Sequence, residues 1–245
     1  MSLQLIDVTN GSFSLAFNVI GFIIGLRIAL KYFKLKNEEM KWTYFFFGIA
    51  VFGLTFYWLP TSISFVAYLI LNNHLPLELL FFLGPSFVPA ITVIFMKAMC
   101  NLLGYKKRQI VIISITIITS IIFEVIFIVL LLIDASLIIR LAGPVDVNYG
   151  DPINLYGGAL LIVVTIFGLT LSIKSIKSPE PEINLRGKFL LVAFLSFAVG
   201  TALDMISSVS IVILTIARII LISGAILFYI GLVPPKGIKR FYLKK

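Results

Sequence analysis

Charge is what this sequence has least of. Asp, Glu, Lys and Arg make up 13% of its 245 residues, against about 25% in a soluble domain. No polar stretch reaches the ~50 residues that an independent soluble domain needs, which excludes an attached kinase, nuclease or nucleotide-binding module. Thiol and imidazole groups are as scarce, with one cysteine and one histidine. Cys100 has no intramolecular disulfide partner, and with His74 it cannot assemble a Cys/His zinc site. There is no glycine-rich phosphate loop, no HExxH and no GxSxG. No histidine or lysine lies at the depth of the helical Ser and Thr residues to activate one. The chain reads as non-enzymatic, with neither a metal nor another cofactor expected.

Apolar sequence fills the space. Hydrophobic residues make up 60% of the chain and mean hydropathy is +1.11. A helix needs about 20 apolar residues to cross a hydrocarbon core about 30 Å thick. That rule gives seven spans, near residues 13–30, 42–71, 77–103, 110–132, 153–173, 189–205 and 210–233. Runs such as 110–122 lack the polar–apolar alternation of barrel strands. The expected fold is an all-α membrane protein, one seven-transmembrane-helix bundle over residues 1–245 with a short basic tail at 234–245. Met1–Asn10 has no positive n-region, so the first span reads as retained and not as a cleaved signal.

The formal net charge of +9 would suggest nucleic acid in a soluble protein. Here the basic residues fall in short gaps between apolar runs, and no nucleic acid is expected. Lys31, Lys34, Lys36 and Lys41 follow span 1, Lys106, Lys107 and Arg108 follow span 3, and Lys174, Lys177, Arg186 and Lys188 follow span 5. The tail adds Lys236, Lys239, Arg240, Lys244 and Lys245. Sixteen of the 20 basic residues thus share one side, which the positive-inside rule makes cytoplasmic. The N-terminus is expected outside and the C-terminus inside, in the plasma membrane, with the bilayer as first partner. On the outer side, the connection 133–152 carries the turn dipeptides Gly143-Pro144 and Asp151-Pro152, and suits either a lid or a free loop. Asn10-Gly11-Ser12 matches a glycosylation sequon.

Three features bear on function. Pro60 interrupts span 2, and Pro85 and Pro89 interrupt span 3, each removing a backbone hydrogen bond. A continuous helix over 42–71 would be about 45 Å long, so a bend at Pro60 is expected. Matched kinks would open an outer-half pocket between the two spans, lined by Tyr57, Trp58, Thr61, Ser62, Ser64 and Tyr68. The charges Glu124, Asp204 and Arg218 fall within spans 4, 6 and 7, with Glu124 and Arg218 both about 12 Å from the outer ends of their helices. Leaving them to lipid costs about 2.5–3.5 kcal/mol or more each, so Arg218 is expected to pair with Glu124, Asp204 or both, as a ligand site or as a packing contact. Gly21 and Gly25 form a GxxxG, for packing within the bundle or a homodimer.

Spans 1–3 and 5–7 share orientation, and Glu38-Glu39 before Lys41 echoes Glu180 and Glu182 before Arg186, as a parallel duplication around span 4 would require. Proline-glutamine loop sugar transporters share that arrangement, but their Pro-Gln pair is missing. Retinal is disfavoured because residues 210–233 contain no lysine for a Schiff base. The final helix ends in Tyr229-Ile230-Gly231-Leu232-Val233-Pro234-Pro235-Lys236. With the span count and orientation, this resembles the seven-helix sensor regions at the N-termini of some prokaryotic histidine kinases, without their kinase domain. The resemblance implies a receptor-like or sensory protein that signals through a separate cytoplasmic partner. The alternatives are a small transporter or permeation protein built on the kinked spans 2 and 3, or a membrane scaffold without a ligand.

Overall fold

The computed structural model describes residues 4–205 and 210–243. Lys244 and Lys245 of the basic tail, and the connection 206–209 expected between the last two spans, lie outside the described residues. Among the described residues, seven helical spans are long and apolar enough to cross a membrane: Leu5–Lys34, Glu38–Leu71, Leu77–Leu103, Gln109–Ile133, Asp151–Ile176, Pro181–Met205 and Ile211–Leu232. They form an all-α bundle. Spans 1, 2, 3, 5, 6 and 7 pack as a closed ring in that order, 7 returning to 1, while span 4 lies outside against span 3. Span 4 accordingly exposes Ile115, Ile118, Ile122, Val125 and Val129, an apolar outer face of the kind a bilayer solvates.

Local signals set the helix ends. Asn37 accepts the amide of Met40 at 3.0 Å ahead of span 2, with Glu38 and Glu39 in the first turn, favourable against the helix dipole. Span 3 stops at Gly104, whose φ of 71° is the left-handed geometry that glycine enters without steric cost. Two of the lysines expected in the basic gaps finish helices: Lys174 donates to the Leu103 carbonyl at 2.7 Å and Lys31 to that of Leu232 at 3.0 Å. Lys106 pairs with Glu39 at 3.2 Å. These contacts gather the basic segments at one end of the bundle.

Span 2 departs from the α-helix as Pro60 requires. Glu38–Gly53 is α-helical, Leu54–Trp58 is a 3-10 turn, and the α-helix resumes at Leu59–Leu71 with Pro60 in its first turn. Span 3 breaks likewise, from Leu77–Leu83 through the 3-10 turn Pro85–Phe87 to Val88–Leu103, with Pro89 in the first turn of the last piece. The two breaks meet: a Cβ on Gly84 would sit 2.6 Å from the Pro60 ring. Matched in level, they pack against each other instead of parting to form the pocket expected between them.

The GxxxG also closes within the chain. A Cβ on Gly25 would lie 2.6 Å from the Gly48 carbonyl oxygen, and one on Gly48 2.5 Å from that of Gly25. Spans 1 and 2 are therefore in backbone contact along this seam, and these glycines are spent inside the bundle. The basic half is a solid apolar core, with Phe47, Phe95, Met99, Phe194, Leu221 and Phe228 all buried together.

At the opposite end, 133–152 is neither free loop nor simple lid. It folds into an antiparallel hairpin, β1 (Ile139–Leu141) and β2 (Val147–Tyr149), with Arg140 opposite Asn148. The base is anchored by Ile138 and Ile139, fully buried against Leu80, Phe81 and Phe127. The tip is anchored by Val145, buried against Phe65 and Tyr68, while the Pro144 carbonyl oxygen lies 3.1 Å from His74 Nδ1.

Candidate functional site

Beneath the hairpin the ring encloses a cavity of about 990 Å³. It runs from Arg140, Asp146 and Tyr149 on the hairpin past Tyr57, Trp58 and Arg218 to a floor that includes Leu54, Ile91 and Val164. Ligand pockets commonly fall in the range of about 300–1,000 Å³, so its size suits a drug-sized molecule.

A charged network crosses its wall. Arg218 Nη2 lies 3.2 Å from Asp204 Oδ1 and donates to Asn10 Oδ1 at 2.8 Å. Asn10 donates through Nδ2 to Asp146 Oδ1 at 2.6 Å, and Trp58 Nε1 donates to Asp204 Oδ2, also at 2.6 Å. The guanidinium also lies 5.7 Å from the centre of the Trp58 ring, within cation–π range. Trp58 is itself held by Phe17, edge to face at 5.1 Å. Arg218 is only 3% exposed, and among the described residues its Nε and Nη1 have no hydrogen-bond partner. One chain of contacts thus joins spans 1, 2, 6 and 7 to the hairpin.

A second cluster ties the hairpin to spans 2 and 5. Tyr149 donates its hydroxyl to the Tyr57 carbonyl at 2.5 Å, Tyr57 donates to Asn154 Oδ1 at 2.7 Å, and Asn154 donates back to the Tyr149 carbonyl at 2.8 Å. The two tyrosine rings lie 4.4 Å apart. Burial pushes the Tyr149 hydroxyl well above its ordinary value, so it stays protonated and serves as a donor. Burial also raises Asp146; Arg218 opposes the rise, Asp204 and Asp7 add to it, and the Asn10 hydrogen bond opposes it.

Sequence reasoning placed some of these residues and missed others. Arg218 takes Asp204 as its partner. Glu124 stands apart: among the described residues it forms no ion pair, and its buried Oε2 has no hydrogen-bond partner. Its depth along span 4 matched that of Arg218, but span 4 packs outside the ring. Of the six expected pocket residues, Tyr57 and Trp58 line the cavity. Thr61, Ser62, Ser64 and Tyr68 are buried instead. Ser62 accepts from Asn18 at 2.9 Å, and Tyr68 supports the hairpin tip.

Asn10, Asp146, Tyr149 and Asn154 are not among the site residues expected from the sequence. Asn10 lies ahead of the apolar run that opens near residue 13, whereas the helix itself starts at Leu5. Asp7, Asn10, Ser14 and Asn18 recur every three to four residues and are all buried, a polar helical face that was readable in advance. Asn10 is 6% exposed, so its sequon is closed to a glycan in the folded chain.

Comparison with protein-family models, curated proteins and solved structures found no match.

Proposed function

We propose that this chain is a receptor-like integral membrane protein that takes a ligand into the hairpin-end cavity and signals to a separate partner at its basic end. The observation that carries this reading is that the cavity is one-ended. Its floor at Leu54, Ile91 and Val164 gives way, among the described residues, to the packed Phe47–Phe95–Met99–Phe194–Phe228 core. A bound molecule would bear on the Arg218–Asp204–Asn10–Asp146 chain, and so on four spans and the hairpin at once. Such a network with alternative partners is the kind of two-state element through which a ligand shifts a conformational equilibrium. Orientation follows the basic segments: hairpin and N-terminus outside, basic end in the cytoplasm of a plasma-membrane protein. The runner-up is a small transporter, favoured by the matched breaks in spans 2 and 3, since transporters bind substrate at interrupted helices.

Side-specific cysteine labelling tests the choice. In a Cys100→Ser background, Thr201→Cys reports on the cavity wall and Met99→Cys on the packed core below it. The receptor reading expects a membrane-impermeant maleimide to label Thr201→Cys from the outside only and Met99→Cys from neither side. Labelling of Thr201→Cys from both sides, or of Met99→Cys from the cytoplasm, overturns it in favour of transport.

A further inference from the structure

Among the described residues, the upper cavity carries more negative than positive charge. Asp146 and Asp204 both line it, with Arg218 as their buried counter-ion. Asp7, 5% exposed, lies behind the hairpin, with its Oδ1 2.9 Å from where a Cβ on Gly143 would be. At the mouth, exposed Arg140 and Asp151 offset each other. Burying an excess anion is costly in a low dielectric unless a cation joins it. Asp146 has room for one: Oδ1 is taken by Asn10, and among the described residues no hydrogen bond reaches Oδ2. The Tyr57 and Tyr149 rings, which line the same cavity, are aromatic groups of the sort that attract organic ammonium ions.

Arg218 sets a second requirement. Among the described residues its Nε and Nη1 have no hydrogen-bond partner, although the side chain is buried and lines the cavity, so a ligand oxygen would be gained there. A ligand carboxylate would add a further anion to the acidic group, whereas a hydroxyl, ether or carbonyl oxygen would not. The floor of Leu54, Ile91 and Val164 accepts only apolar groups.

We propose that the cavity binds an amphipathic organic monocation, a protonated amine seated on Asp146 with its apolar body directed toward the Leu54–Ile91–Val164 floor. This rests on the receptor-like reading and specifies its ligand class. The upward shift of Asp146 agrees with it, because a bound ammonium would offset the burial and the repulsion that cause the shift.

The test uses the full chain in lipid nanodiscs, in a Trp42→Phe background so that Trp58 is the fluorophore. The probes are cyclohexylmethylamine, phenethylamine and phenylbutylamine, each with its matched alcohol and carboxylic acid. At least one amine is expected to change Trp58 emission saturably, with affinity tenfold or more above its alcohol, and the acids are expected not to saturate. Asp146→Asn should abolish the preference for amine over alcohol, and Asp146→Glu should keep it, with the thermal midpoint reporting that each variant is folded. Equal binding of amines and alcohols, tighter binding of acids, or no amine binding by folded protein would each overturn the proposal. Binding of alcohols or acids would leave the receptor reading standing, while the cysteine-labelling pattern tests that reading separately.

Discussion

Replacing Arg218 and Asp204 singly and together measures how strongly the network holds the hairpin end. The pair is 3.2 Å apart, and its side chains are 4% and 13% exposed. At an effective dielectric of about 20, two charges about 4 Å apart attract by about 4 kcal/mol, and breaking a buried pair from one side costs about 3–5 kcal/mol. Arg218→Met keeps the volume but leaves Asp204 facing the nearby Asp146 without the guanidinium between them. We expect a loss of about 3–4 kcal/mol. Asp204→Asn can keep one oxygen on Trp58 Nε1, but this turns its amide N–H2 toward the guanidinium. Arg218 still has Asn10 as an acceptor and Asp146 nearby, so the expected loss is smaller, about 2–3 kcal/mol. The double variant removes both charges, and should fall short of the sum by about 1–3 kcal/mol, the usual coupling of residues in direct contact. Steric trapping in bicelles gives the unfolding free energies reversibly. If the double variant equals the sum of the singles to within about 0.5 kcal/mol, the pair contributes no specific interaction and the network argument fails.

Three further outcomes are expected. Because Asp146 is raised in the folded chain, it holds its proton more tightly when folded, so its contribution to stability is full below the unfolded value and lost as pH rises through the folded one. Amide exchange in residues 139–149 should therefore quicken, relative to Asp146→Asn, as pH is raised through the range just above an ordinary carboxylate value; parallel profiles for the two proteins would refute this. Gly25→Ala forces a Cβ to 2.6 Å from the Gly48 carbonyl oxygen, whereas Gly158→Ala meets nothing within 4 Å. The first should cost about 1–3 kcal/mol and the second almost nothing, and equal melting temperatures would disprove the tight seam between spans 1 and 2. Glu124→Leu removes a carboxyl with an unpartnered buried oxygen and should stabilise the chain by about 1–3 kcal/mol, while a loss above about 1 kcal/mol would reveal a partner.

How much of this was legible in advance depends on what each feature needs from the rest of the molecule. Seven spans could be counted because crossing a hydrocarbon layer demands about 20 apolar residues in a row, a requirement each segment meets alone. The breaks at Pro60, Pro85 and Pro89 were equally local, since a missing N–H disrupts its own helix wherever that helix lies. The start of span 1 was misjudged because Asp7 and Asn10 look like loop residues by hydropathy. They are instead the beginning of a buried polar stripe.

What sequence by itself determined here is an all-α fold of seven long apolar spans, where two of them break, and that Asp204 and Arg218 fall within them. Tertiary structure alone decided which charges meet. Depth along a helix is one coordinate, and it put Glu124 and Arg218 level. Their angular positions depend on how the seven spans are arranged, which sent span 4 outside the ring and left Asp204 as the partner of Arg218. The cavity is a tertiary product for the same reason. Its roof is a hairpin whose short strands, Ile139–Leu141 and Val147–Tyr149, carry too little hydrophobic pattern to stand out. They hold their form because Ile138, Ile139 and Val145 are buried against side chains from spans 2, 3 and 4, contacts between residues far apart in the chain that no local pattern encodes.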